Sequence, residues 1–160
     1  MPEGLFRAGN FELRELVLIG SSGKEVDLSA SVISITLFEA IDQYTVTGEM
    51  LVQDSVNLAS LLPVIGQEYL KIKLATPTVK NKNQMVDFTE NAMMVTSMDQ
   101  KMELGNGTVG QIINFASRET LMNDRIRINA VLTGSCDKIV EQVLTGDFGL
   151  QTRKPFFHEP

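Results

Sequence analysis

Cys136 and His158 are the single cysteine and the single histidine of the chain. Together they are the only side chains able to form a thiolate–imidazole pair for nucleophilic catalysis. Placement argues against that pair, because Cys136 opens a helical pattern while His158 stands in an irregular aromatic tail. With one residue of each type there is no His/Cys cluster at metal-ligand spacing. No glycine-rich phosphate loop of the nucleotide-binding kinds occurs either. Carboxylates are plentiful, 20 Asp and Glu against 14 Lys and Arg, yet Glu39, Asp42, Glu49 and Asp54 fall on turn, cap or exposed-strand positions. A solvated face is the ordinary reading of such residues, and a glycosidase pair the exceptional one. Lys80 and Lys82 make too small a basic patch to hold a nucleic-acid backbone. The sequence predicts no catalytic residue, no metal ligand, no cofactor and no small-molecule ligand.

The chain that would have to position such residues is 160 residues long with 43% apolar content, enough for one ordinary domain with a filled core. Its net charge of −6 repels phosphate backbones and excludes a protein that grips DNA by counterion release. A lone cysteine rules out an intrachain disulfide, so the core carries the stability. Apolar runs stay far below the roughly 20 residues of a membrane helix. The N-terminus shows no secretion pattern, which points to synthesis and assembly in a cytoplasm.

Period-two patterning dominates. Residues 1–10 read as an irregular arm, with Leu5 and Phe6 able to anchor on a neighbour. A strand is predicted over Phe11 to Ile19, a turn at Gly20-Ser21-Ser22-Gly23 and a short return strand over Glu25 to Leu28. In Ser31 to Thr76, the densest region, Ile33, Ile35, Leu37 and Ile41 share one strand face, Asp42-Gln43 makes a tight connection, and Tyr44 to Val52 returns as the partner strand. Gly48 breaks that second strand's apolar face, which calls for a bulge or a close backbone approach. Asp54 or Ser55 caps a brief helix over Asn57 to Leu62, whose Leu58, Leu61 and Leu62 can plug an open barrel end, and Pro63 stops it. Leu70, Ile72 and Leu74 mark the next strand, and Pro77 to Gln84 a protruding loop. Strands follow over Met85 to Phe88, over Met93 to Leu104 and, after the Gly105-Asn106-Gly107 turn, over Thr108 to Ser117. About seven strands are expected. Met93, Met94, Met98 and Met102 read first as gap-filling core residues and second as an adaptable surface. Beyond Arg118 the pattern becomes helical: a turn over Arg118 to Asp124, an extended stretch, then a helix capped by Ser135 or Asp137 and ended by Gly146. The tail from Gly146 to Pro160 reads as the opening of a further domain. The organisation is thus an arm (1–10), a β-domain (11–117) and a helical extension with its tail (118–160).

An ordered string of residues resembles the N-terminal, tail-tube-like region of the baseplate hub proteins of T-even-type contractile-tailed bacteriophages. It consists of Glu39 closing a strand, Thr47 to Met50, the Asp54-Ser55 pair before a leucine-rich turn, and the Pro63 to Glu68 step into the next strand. Phe115 to Asp124, FASRETLMND, resembles the place where a strand leaves the barrel in that family. These are packing and turn motifs rather than catalytic signatures.

The resemblance implies an antiparallel β-barrel of two packed sheets, tail-tube-like, with a short plugging helix and a C-terminal helical extension. It implies a structural virion protein, assembled in the host cytoplasm, that forms a homotrimeric ring. Such a ring joins the tail tube protein to the central spike protein, meets neighbouring baseplate wedge proteins and lets DNA pass its lumen without specific binding. Acidic side chains are expected to line that lumen. Subunit and tube contacts are expected from Leu5, Phe6, Lys80, Lys82, Arg118, Phe156 and Phe157. The alternative is a virion-associated polysaccharide-binding or glycan-cleaving domain, disfavoured by the absence of Trp and by only 2 Tyr for sugar stacking.

Overall fold

The computed structural model describes residues 11–43, 45–54, 57–62, 65–76, 85–98, 101–105 and 107–153. The chain runs β1 (Glu12–Ile19), β2 (Glu25–Asp27), β3 (Val32–Phe38), β4 (Thr47–Gln53), α1 (Leu58–Leu61), β5 (Tyr69–Ala75), β6 (Val86–Asp87), β7 (Met93–Met98), β8 (Met102–Gly105), β9 (Thr108–Ala116), α2 (Arg118–Arg125) and α3 (Cys136–Thr145). All nine strands belong to one antiparallel sheet in the order β2-β1-β5-β7-β9-β4-β3, with β6 on β5 and β8 on β9.

The protein is mainly β with a helical extension, as expected, but the sheet does not close into a barrel and does not divide into two. Its terminal strands explain why. β2 is three residues long and pairs only with the last part of β1, while β3 pairs only with β4. No ladder joins β3 to β1 among the described residues. A hollow of about 220 Å³ lies between β3 and the end of β5, lined by Phe11, Ile35, Leu37, Leu74, Ala75, Thr76 and Val86.

One face of the sheet holds the core. Leu16 and Leu18 of β1, Leu70 and Ile72 of β5, Met93 and Val95 of β7, Ile113 and Phe115 of β9, and Met50 and Val52 of β4 form a single buried cluster. The members of each pair are next-but-one neighbours in the chain, so alternation puts both on the inner face. On the other face of β1, Val17 and Ile19 are half-buried, whereas Leu13, expected beside them, packs against the core because a register shift lies between Leu13 and Glu15. The predicted methionine run divides: Met93 is buried, Met98 packs against the core, and Met102 is exposed on β8. The long strand expected over Met93 to Leu104 is correspondingly two strands, and a register shift lies between Val95 and Ser97.

Three local expectations are corrected in whole or in part. A turn does lie at the expected place, where Gln43 N–H donates to Ala40 O at 3.1 Å, but the strands do not reach it: β3 ends at Phe38 and β4 begins only at Thr47. Ile41 is fully exposed with nothing to bury it, and the main chain of Val46 is engaged by Ser117, whose N–H donates to Val46 O at 2.7 Å and whose Oγ accepts from Val46 N–H at 3.3 Å. Ile33 does not share a face with Ile35 and Leu37, because a register shift between Val32 and Ser34 turns it outward and brings Val32 inward. Gly48 is not a bulge. Thr47, Gly48 and Glu49 pair without interruption with Ala116, Phe115 and Asn114 on one side and with Phe38, Leu37 and Thr36 on the other. The close-approach reading of Gly48 holds: a Cβ there would lie 2.6 Å from the Phe115 ring and 2.7 Å from Thr36 O.

The helices of the extension fall close to their predicted places. α2 starts after Ser117, and α3 starts after Ser135 and ends at Gly146. No residue of α3 is fully buried, so its apolar face is only partly covered. No helix among the described residues is long and apolar enough to cross a membrane.

Candidate assembly surfaces and the plug

β3 has the sequence VISITLF, seven residues without a charge. Its inward residues Val32, Ile35 and Leu37 pack half-buried on the core, while Ile33 and Phe38 are 53% and 52% exposed. The outer edge of β3 carries main-chain donors and acceptors that no described strand meets. Folded proteins normally blunt such an edge with Lys, Pro or a covering loop, because it templates pairing with another chain. Here the strand is uncharged, exposes Ile33 and Phe38 beside Ser34 and Thr36, and has no strand across its outer edge among the described residues, which makes it the strongest candidate contact surface.

β8 offers a second exposed edge. All four of its residues are exposed, Met102 and Leu104 among them, and it pairs with β9 alone. Gly105 and Gly107 both have positive φ, 98° and 73°, as the turn predicted there requires. A third apolar surface lies on the extension, where Ile128, Val131, Val140 and Phe148 are exposed near a hollow of about 290 Å³ lined by Ile126, Val143, Leu144 and Leu150.

Arg118, an expected contact residue, is half-buried at the start of α2. It lines a hollow of about 410 Å³ together with Tyr69, Phe88, Glu90, Glu119 and Arg153. Glu119 is buried there and accepts from Thr152 Oγ at 2.7 Å, fastening the tail to the first turn of α2. The other expected contact residues, Leu5, Phe6, Lys80, Lys82, Phe156 and Phe157, lie outside the described residues, as do His158, Tyr44, Ser55, Pro63, Asn106 and the 77–84 loop. Cys136 is exposed at the first position of α3.

The helix expected as a plug forms as one turn, α1, and, the sheet being open, packs on the core instead of filling a barrel end. Leu58 and Leu62 are 1% exposed and belong to the core cluster; the side chain of Leu61 lies outside the described part. Leu62 packs so closely on Gly20 that a Cβ at Gly20 would come within 2.7 Å of it. Asp54 holds the start of the turn: its Oδ1 accepts from Leu58 N–H at 2.7 Å, and Lys101 Nζ stands 2.7 Å from its Oδ2. Burial pushes the Asp54 carboxyl up. The Lys101 hydrogen bond, the Leu58 N–H, the Lys101 charge and the Asn57 N–H outweigh that and hold it below the ordinary value of 3.8. Asp54 thus has a structural partner set of the kind that sequence assigned to it as a cap, whereas Glu39, Asp42 and Glu49 lie exposed on the loop and strand surface.

Sequence reasoning missed the most buried acid. Glu68 is 0% exposed, and its carboxylate accepts three backbone N–H bonds: from Ile65 at 2.8 Å to Oε1, and from Gly66 at 2.9 Å and Gln67 at 3.1 Å to Oε2. Successive N–H groups converging on one anion form a nest, here filled by the chain's own side chain. Gly66, at φ 84°, permits the loop to wrap. A glycine two residues before an acid at a strand entry was the available signal.

Among the described residues no group of three or more His, Cys, Asp or Glu side chains is placed to hold a metal ion. Comparison with models of known protein families and with curated proteins finds no match for this chain.

Proposed function

We propose that this chain is a structural subunit of a contractile-tail baseplate hub, a ring component that joins the tail tube to the central spike and surrounds the DNA path. The observation that carries this reading is the uncharged, unpaired edge of β3 beside its exposed Ile33 and Phe38. A sheet edge of that composition is built to be covered by another chain. A second edge at β8 allows head-to-tail contacts, which generate a ring when the rotation between neighbours closes. The ordered string from Glu39 to Glu68 supports the hub assignment through its resemblance. The tail tube, spike and wedge proteins are the partners this reading assigns. The acidic balance of the chain suits a channel along which DNA slides without adhering.

The test is sedimentation of the full chain and of the Ile33→Lys/Phe38→Lys variant at micromolar concentration. Both side chains are about half exposed, so burying what remains of each contributes roughly 1 kcal/mol to association, and a lysine in its place opposes it. The parent chain is expected to sediment as a homotrimer and the variant as a monomer with the parent's β-sheet circular dichroism and a cooperative melt. A parent chain that stays monomeric, or a variant that associates like the parent, overturns the reading.

A further inference from the structure

We propose that Lys101 is a latch: it holds the plug turn α1 in its seat, so that the position of the β8–β9 hairpin governs whether the plug stays closed against the core. α1 is four residues long, far too short to persist on its own helical propensity. Two apolar anchors, Leu58 and Leu62, seat it. Its first turn depends on one carboxylate, Asp54, whose side chain is 0% exposed.

Asp54 is tied to the hairpin twice. Its backbone N–H donates to Val109 O at 2.8 Å, at the start of β9. Its Oδ2 meets Lys101 Nζ at 2.7 Å, and no other described group donates to that oxygen. The same ammonium donates to Asn57 Oδ1 at 2.7 Å, and Asn57 Nδ2 in turn donates to Ser60 Oγ at 2.6 Å inside the turn. Asn57 has φ 54°, a left-handed conformation that needs such local bonds to hold it. Lys101 directly precedes β8 and its own side chain is 40% exposed. Among the described residues one exposed cation is therefore the countercharge of a buried anion whose other partners are the Leu58 and Asn57 N–H groups. If the hairpin shifts, the carboxylate is left charged and without its countercharge beneath the plug, a costly arrangement that unseating the turn relieves by admitting water.

The experiment is amide hydrogen exchange on the full chain, comparing the parent with Lys101→Met, Lys101→Arg and the double variant Asp54→Asn/Lys101→Met. Methionine keeps the apolar stem and removes only the charge. Exchange at Leu58 and Leu62 is expected to accelerate about ten- to hundredfold in Lys101→Met, the size of losing a charge-assisted hydrogen bond. The amides of Leu16, Ile72 and Ile113 keep their protection. Lys101→Arg keeps the plug protected, and the double variant returns towards the parent, because a neutral carboxamide in place of the Asp54 carboxylate leaves no buried charge. Unchanged exchange at Leu58 and Leu62 in Lys101→Met overturns the latch. Equal acceleration at Leu16, Ile72 and Ile113 overturns it too, since the loss is then global.

Discussion

Replacing Gly48 by alanine places one methyl group where the sheet has no room. The new Cβ would stand 2.6 Å from Cε2 and Cζ of Phe115 and 2.7 Å from Thr36 O. The ring belongs to a fully buried side chain in the core, and the oxygen is main chain in β3, the neighbouring strand. Neither can retreat freely, because Thr47 to Glu49 is paired on both sides. Overpacking of this kind costs about 1–3 kcal/mol, and contact with a backbone atom puts the site in the upper half of that range. Alanine also restricts the unfolded chain, which returns about 0.4–1 kcal/mol. The net loss is about 2 kcal/mol, or a fall of about 4–8 °C in Tm for a chain of this size. Thermal and urea unfolding of Gly48→Ala measure it. Phe115→Leu in the same chain removes the ring atoms and should recover part of the loss, making the two changes non-additive by about 1 kcal/mol. A Gly48→Ala chain that melts at or above the parent temperature would refute the close-approach account.

Other consequences are equally direct. Glu68→Ala strips three backbone N–H groups of their only carboxylate, and should cost about 3 kcal/mol in urea unfolding, whereas Glu68→Gln, which keeps one acceptor oxygen, should cost less. Asp87 is held down to about 2, first by the Lys73 hydrogen bond and then by Thr89, with Lys73 Nζ 2.6 Å from its carboxylate. A depressed carboxylate pKa stabilises the fold fully above its ordinary value of 3.8, and that contribution disappears as pH falls from 3.8 towards 2. Asp87→Asn should therefore flatten the acid limb of Tm against pH between those values and leave the rest of the profile unchanged; an unchanged acid limb would show that the pair contributes nothing there.

Much of the fold was legible because it depends on local rules. Leu16 and Leu18, Leu70 and Ile72, and Met50 and Val52 alternate in sequence and share the core in space. Ser135 and Gly146 flank α3 where they were expected, although Ser135 makes no side-chain cap bond and Gly146 leaves the helix in extended backbone. What escaped the sequence depends on relations between distant segments. The shift at Val32 that turns Ile33 outward is a matter of register against β4, invisible in the strand's own alternation. The use of Val46 by Ser117 spans 71 residues and shortens β4 at its start. Gly48 showed that something must come close, yet only its pairing with Phe115 across β9 says what. Closure of the sheet likewise depends on whether β3 meets β1, which no local pattern encodes. The candidate contact surface was not legible: the β3 edge emerged only once the strand order left it without a described partner, and Arg118, expected at a contact, lines the hollow beside Tyr69 and Phe88.

Electron microscopy of purified tail particles containing this chain tests the central claim most directly. A ring subunit of a hub predicts density for this fold in three copies around the DNA path, between tail tube and spike, with the β3 edge covered by a neighbour and acidic side chains facing the lumen. A basic or neutral lumen, an uncovered β3 edge, or the chain found as a separate monomer that cleaves glycans would contradict it.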